Sequence, residues 1–167
     1  EKLIYGLGVS LVNPTDEFIS LIKQYPNAVI HVINGILKPS DVEVLSEKNL
    51  KMLILGYKEL RRGGDYLYKE FESITIKQIW LKENLGNIIE HFKVVSFDNL
   101  AIEQLEVHRL MSQEEWDEFY MGDDGSTTYY IDMVEQKFAR SSTADFDKRY
   151  DLLDSVDEMF KKIVSEQ

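Results

Sequence analysis

The groups best suited to ligand chemistry are polar or glycine residues at the ends of apolar runs. Ser10 and Asn13 close the run from Leu3 to Leu11, Asn34 and Gly35 lie in the last part of Ala28 to Leu37, and Gly56 and Tyr57 end the run from Leu50. A hydroxyl, two carboxamides and bare backbone can hold a polar small molecule by hydrogen bonds and close approach. Arg61 and Arg62 stand in the polar, glycine-bearing stretch Lys58 to Tyr66, which reads as a loop whose two guanidinium groups could hold an anion, or else as a solvated turn. Tyr120-Met121-Gly122-Asp123-Asp124 places two carboxylates side by side, the arrangement that grips magnesium in template-copying polymerases. Those enzymes need an apolar strand before the turn. Gln113 to Glu118 is instead acidic and helical in pattern, so the pair reads as a solvent-facing Asp-Gly turn.

Several chemistries are excluded by composition. The chain has no cysteine, which removes disulfides, thiol nucleophiles, iron–sulfur ligation and cysteine-based zinc sites. Its three histidines, His31, His91 and His108, are not spaced to share a metal. His31 alternates with apolar strand residues and reads first as structural, and His91 reads as a cap or surface residue. No Gly-x-Gly-x-x-Gly opens a helix, and no P-loop or nucleophile elbow is present. Gly6 and Gly8 lie inside a strand pattern, where they permit close packing or a close ligand approach.

The elements that must position the candidate groups follow from periodicity. The three apolar runs recur every 23 to 25 residues, counted from Ile4 to Val29 to Met52, and the segments between them have helical spacing. Strand, helix, strand, helix, strand implies parallel strands whose C-terminal tips share one rim, as in a (β/α) barrel or a doubly wound sheet. Asn13-Pro14-Thr15 starts the first helix, with Phe18, Leu21 and Ile22 as its inner stripe. Ser40 and Glu43 have capping-box spacing at the start of the second, with Val42 and Leu45 facing the sheet. Phe71 to Phe92 reads as mostly helix interrupted near Gly86, Phe92 to Phe97 as a fourth strand, and Asp98-Asn99 as the cap of the next helix. Ser112 to Tyr120 is helical in pattern, Thr127 to Met133 and Gln136 to Ser141 pair as a hairpin, and Asp145 to Val164 has the spacing of an amphipathic helix.

The formal net charge of −11 lies entirely in the last 70 residues, which hold 18 acidic and 7 basic side chains. Such a surface repels phosphate backbones, so no direct nucleic-acid binding is expected, whereas a basic protein partner is compatible with it. No run approaches the roughly 20 apolar residues of a membrane helix, and no basic-then-apolar signal opens the chain. A soluble, cytoplasmic protein without membrane contact is expected. The chain begins with Glu1 rather than Met, and an upstream part is compatible with that.

Phe92 to Leu105, then Tyr120 to Gly125 with Tyr130-Ile131-Asp132 and Phe138 to Thr143, resembles the C-terminal half of radical S-adenosylmethionine proteins carried by phages and mobile elements of Gram-positive bacteria. Asn49 to Lys58 is similar to the last barrel strand of that group. The resemblance implies a partial (β/α) barrel. It would place Ser10 near the ribose of S-adenosylmethionine, Asn34-Gly35 near its adenosine and Gly56-Tyr57 beside the adenine. The family's CxxxCxxC loop is absent, so no [4Fe–4S] cluster is expected on this chain, and an iron–sulfur half would have to come from elsewhere. The expected fold is therefore α/β: a half barrel of parallel strands over residues 1–106, and an acidic β-hairpin and amphipathic helix over 107–167, packed as one domain. An open sheet edge calls for cover by the C-terminal part, a second copy or a protein partner. The competing expectation is a small acidic, phage-encoded inhibitor that occupies the nucleic-acid site of a host protein.

Overall fold

The computed structural model of the chain describes residues 5–60 and 62–165. They form two compact units, Glu1–Ser112 and Gln113–Gln167. Leu3, Ile4 and Arg61 lie outside the described residues.

The first unit alternates strand and helix: β1 (Leu7–Ser10), α1 (Asp16–Lys23), β2 (Ala28–Ile33), α2 (Pro39–Leu45), β3 (Lys51–Leu55), α3 (Arg62–Glu90), β4 (Val94–Phe97) and α4 (Asn99–Leu105), then a 3-10 turn at Val107–Leu110. The strands are parallel and lie in the order β1-β2-β3-β4, so each crossover returns the chain to the neighbouring position. In register, Val9 stands beside Ile30, Ile30 beside Met52, and Met52 beside Val95. Because strand side chains alternate between faces, these residues share one face. Ile30, Val32, Met52 and Ile54 enter a single core cluster with Ile19 and Ile22 of α1, Val42 and Leu45 of α2, Leu81, Leu85 and Ile88 of α3, and Ala101 and Leu105 of α4. The alternate face carries Val29, His31, Ile33, Leu53, Leu55, Val94 and Ser96, and none of these belongs to that cluster.

Local chemistry sets the helix ends. The Thr15 hydroxyl accepts from the Phe18 nitrogen at 3.2 Å, and Asp16 and Glu17 sit in the first turn, where the helix dipole favours carboxylates. Ile22 is buried and Phe18 packs against the core as predicted, whereas Leu21 is half-exposed and Ile19 is buried in its place. α2 starts at Pro39, with Lys38 N–H donating to Asp41 at 3.1 Å; that closure takes the place of the predicted Ser40–Glu43 box. The largest difference is α3. Its helix begins at Arg62, inside the predicted loop, and it breaks at Glu70 (φ −125°, ψ 25°) rather than near Gly86. Gly63 lies so close to the Lys58 carbonyl that a side chain would collide with it, which lets the helix start directly under the strand exit.

The second unit contains α5 (Gln113–Phe119), β5 (Tyr130–Asp132), β6 (Lys137–Ala139), a 3-10 turn at Phe146–Lys148, β7 (Tyr150–Asp151) and α6 (Val156–Val164). The strands form an antiparallel sheet in the order β5-β6-β7. The predicted hairpin is present, with a buried Asp132 accepting from the Val134 and Glu135 nitrogens at 3.0 Å each to close its turn. The predicted terminal helix is shorter than its apolar spacing. Tyr150 pairs with Phe138 as a third strand, Leu152 N–H donates to the Gln136 carbonyl, and Ser155 caps a helix that starts only at Val156. Phe138, Met159 and Ile163 make this unit's core.

Candidate functional site

Parallel strands deliver their C-terminal tips to one rim, and the sequence-predicted residues separate there into two groups. Asn34, Gly35, Gly56 and Tyr57 are all buried and are drawn together by Gln104 of α4. The Gln104 side-chain oxygen accepts from Asn34 Nδ2 at 3.0 Å and from the Tyr57 nitrogen at 2.9 Å, while its amide nitrogen donates to the Tyr57 carbonyl at 2.9 Å. One carboxamide thus ties the ends of β2 and β3. Ser10 and Asn13 lie at the exposed end of edge strand β1, and among the described hydrogen bonds their side chains do not reach this group. Arg62 is exposed on the first turn of α3.

Asp98 performs a second junction. Its Oδ1 accepts from the Gly56 nitrogen and from the Ala101 nitrogen, each at 2.8 Å, so the cap of α4 also fixes the exit of β3. A side chain on Gly56 would collide with Leu100 and lie 2.8 Å from the Ala101 nitrogen. Gly35 has φ +85°, and a side chain there would come within 2.8 Å of Ile74. Both glycines therefore serve the approach of α4 and α3 to the strand tips. Tyr57 donates its hydroxyl to the Gly63 carbonyl at 2.8 Å; burial, and then the neighbouring Tyr66 and Glu59, push its phenol pKa above the ordinary tyrosine value.

One polar atom at the rim is left over. Asn34 is 1 % exposed, its backbone nitrogen donates to the Leu55 carbonyl and its side-chain nitrogen to Gln104, but its Oδ1 has no donor. An unmet buried acceptor costs about 1–3 kcal/mol, so the position is suited to a donor from outside the chain.

Sequence reasoning missed Gln104. A glutamine in the last turn of a short helix carries no motif, and only the register of β2 against β3 puts it between two strand ends. Of the two readings of Gly8, close packing or close ligand approach, the structure has the first: a side chain there would lie 2.5 Å from the His31 ring, which occupies that space on the alternate face. His91 sits just past α3 with its Nδ1 2.6 Å from Glu47. In the second unit the Tyr120 hydroxyl donates to Asp123, and Arg140 donates to the Asp124 carbonyl. Among the described residues, no group of three or more His, Cys, Asp or Glu side chains could hold a metal ion, and no helix is long and apolar enough to cross a membrane.

Comparison with family models, curated proteins and solved structures returned no match for this chain.

Proposed function

We propose that the chain is the cofactor-side part of a β/α barrel of the radical S-adenosylmethionine type, carrying binding groups and no catalytic centre of its own. The observation that supports this is the strand order β1-β2-β3-β4, all parallel, with the helices joined to one face only. A doubly wound sheet reverses its order and carries helices on both faces. A strip of a barrel keeps sequential order and turns its other face inward. That face presents Val29, Ile33, Leu53, Leu55 and Val94, an apolar set that a second copy or a protein partner completing the barrel would bury.

The residues do not fit an iron–sulfur cluster, because thiolates hold such clusters and this chain has none. S-adenosylmethionine supplies radical chemistry only beside such a cluster, so no catalytic step is assigned to these residues. They do fit an adenosine group in part. Asn34 Oδ1 suits a hydroxyl or amino donor, and the Tyr57 N–H and C=O offer the donor–acceptor pair that a purine edge matches. Gln104 holds both Tyr57 groups and must turn away before a purine can use them. Calorimetric titration with S-adenosylmethionine tests this. Weak saturable binding is expected for the native chain, strengthened about tenfold in Gln104→Ala. No heat from either protein, or weaker binding by the variant, would contradict the proposal.

A second reading rests on charge. The second unit carries 15 acidic against 6 basic side chains, a net of −9, with Glu114, Glu115, Asp117 and Glu118 exposed together on α5. An acidic inhibitor would use this unit to fill the nucleic-acid site of a basic host protein. Its affinity would fall as salt rises; salt-insensitive binding would exclude it.

A further inference from the structure

We infer that the N-terminal end of the parallel sheet, opposite the rim, is a binding site for a phosphate-bearing small anion. A cleft of about 410 Å³ opens there between the end of α1 and the starts of β2, β3 and β4. Lys23, Lys48, Lys51 and Lys93 all line it, and no carboxylate does. They come from the last turn of α1, the loop before β3, the first residue of β3 and the residue before β4, so the fold gathers them from four separate segments. None of the four forms an ion pair with another described residue. Four cations in one cleft without a carboxylate is an uneven distribution that self-repulsion disfavours.

The fold fixes the backbone beside Lys48, Lys51 and Lys93. Lys48 lies between Glu47 and Asn49, both at φ +58°, an uncommon conformation for residues other than glycine. Glu47, the acid adjacent to Lys48, is committed elsewhere: its side chain meets His91 and its N–H donates to the His91 carbonyl. Lys93 N–H donates to the Leu50 carbonyl at 2.9 Å, which locks the start of β4 to β3 beside Lys51. Lysine ammonium groups supply mobile donors that match phosphate oxygens. Tyr25, 49 % exposed, lines the same cleft and offers an aromatic face, and the volume suits a nucleotide-sized molecule.

Titration of the native chain with inorganic pyrophosphate and with ADP, followed by amide chemical shifts, tests the inference at constant ionic strength. Saturable shifts are expected at Lys23, Lys48, Lys51 and Lys93, with at least about tenfold weaker binding by Lys51→Ala/Lys93→Ala and retained binding by Lys51→Arg/Lys93→Arg. Tighter binding of ADP than pyrophosphate, lost in Tyr25→Leu, would make the anion a nucleotide; equal binding would make it the phosphate group alone. The inference is overturned if neither probe saturates by about 5 mM, well above ordinary metabolite affinities, or if the alanine variant binds as the native chain does. The rim is at the other end of the strands, so shifts confined to Asn34, Gly35, Gly56 and Tyr57 would also overturn it without touching the proposal made for the rim.

Discussion

Removing the Gln104 carboxamide should cost the first unit more than any other single polar truncation at the rim. Gln104→Ala deletes three hydrogen bonds, from Asn34 Nδ2, from the Tyr57 nitrogen and to the Tyr57 carbonyl, and both partner residues are buried. At a net contribution of about 1 kcal/mol per bond, the expected loss is about 3 kcal/mol. Asn34→Ala breaks one of these bonds but also removes an acceptor that has no donor, so it should cost less. The two substitutions share a contact and should couple by about 1 kcal/mol in a double-mutant cycle. The assay is urea unfolding followed by the fluorescence of Trp80, which packs on the first unit's core, in a Trp116→Phe background. A Gln104→Ala loss below about 0.5 kcal/mol, or no coupling with Asn34, would refute the view that this side chain joins the two strand ends.

Gly56→Ala should destabilise by about 1–3 kcal/mol, because the added carbon meets Leu100 and the Ala101 backbone nitrogen, which cannot swing aside; the same unfolding assay reads it. Tyr120, bonded to Asp123, has its phenol pKa pushed up to about 12, first by that hydrogen bond and then by burial and the nearby charges of Asp123 and Asp124. A raised folded-state value means the neutral phenol stabilises the fold: the contribution is complete below the ordinary tyrosine pKa and is lost as pH rises through about 12. Ultraviolet absorbance titration should therefore show a tyrosine component near pH 12 that moves to lower pH in Asp123→Asn.

The parallel sheet was legible because its signal is strong: continuous apolar runs, a recurring 23 to 25 residue spacing and caps at Thr15 and Asp98. Parallel crossovers put Asn34, Gly35, Gly56 and Tyr57 on one rim, but the Gln104 bonds that join Asn34 to Tyr57 do not follow from them. The start of α3 was hidden because Gly63 and Gly64 look like loop residues when their local propensity is read without the close contact at the Lys58 carbonyl. The end of the chain misled in the opposite way, since Phe146, Tyr150 and Leu153 match helical spacing while strand pairing of Tyr150 with Phe138 decides their conformation. The lysine cleft was not legible at all. Its four residues span positions 23 to 93, and only the strand order brings them to one place.

The most direct test of the rim as an adenosine-binding edge is amide chemical-shift mapping of the native chain with S-adenosylhomocysteine, which carries the adenosine group without the reactive sulfonium. Saturable shifts centred on Asn34, Gly35, Gly56 and Tyr57, enlarged in Gln104→Ala, are the predicted result. Unchanged resonances at those four positions in both proteins would contradict it.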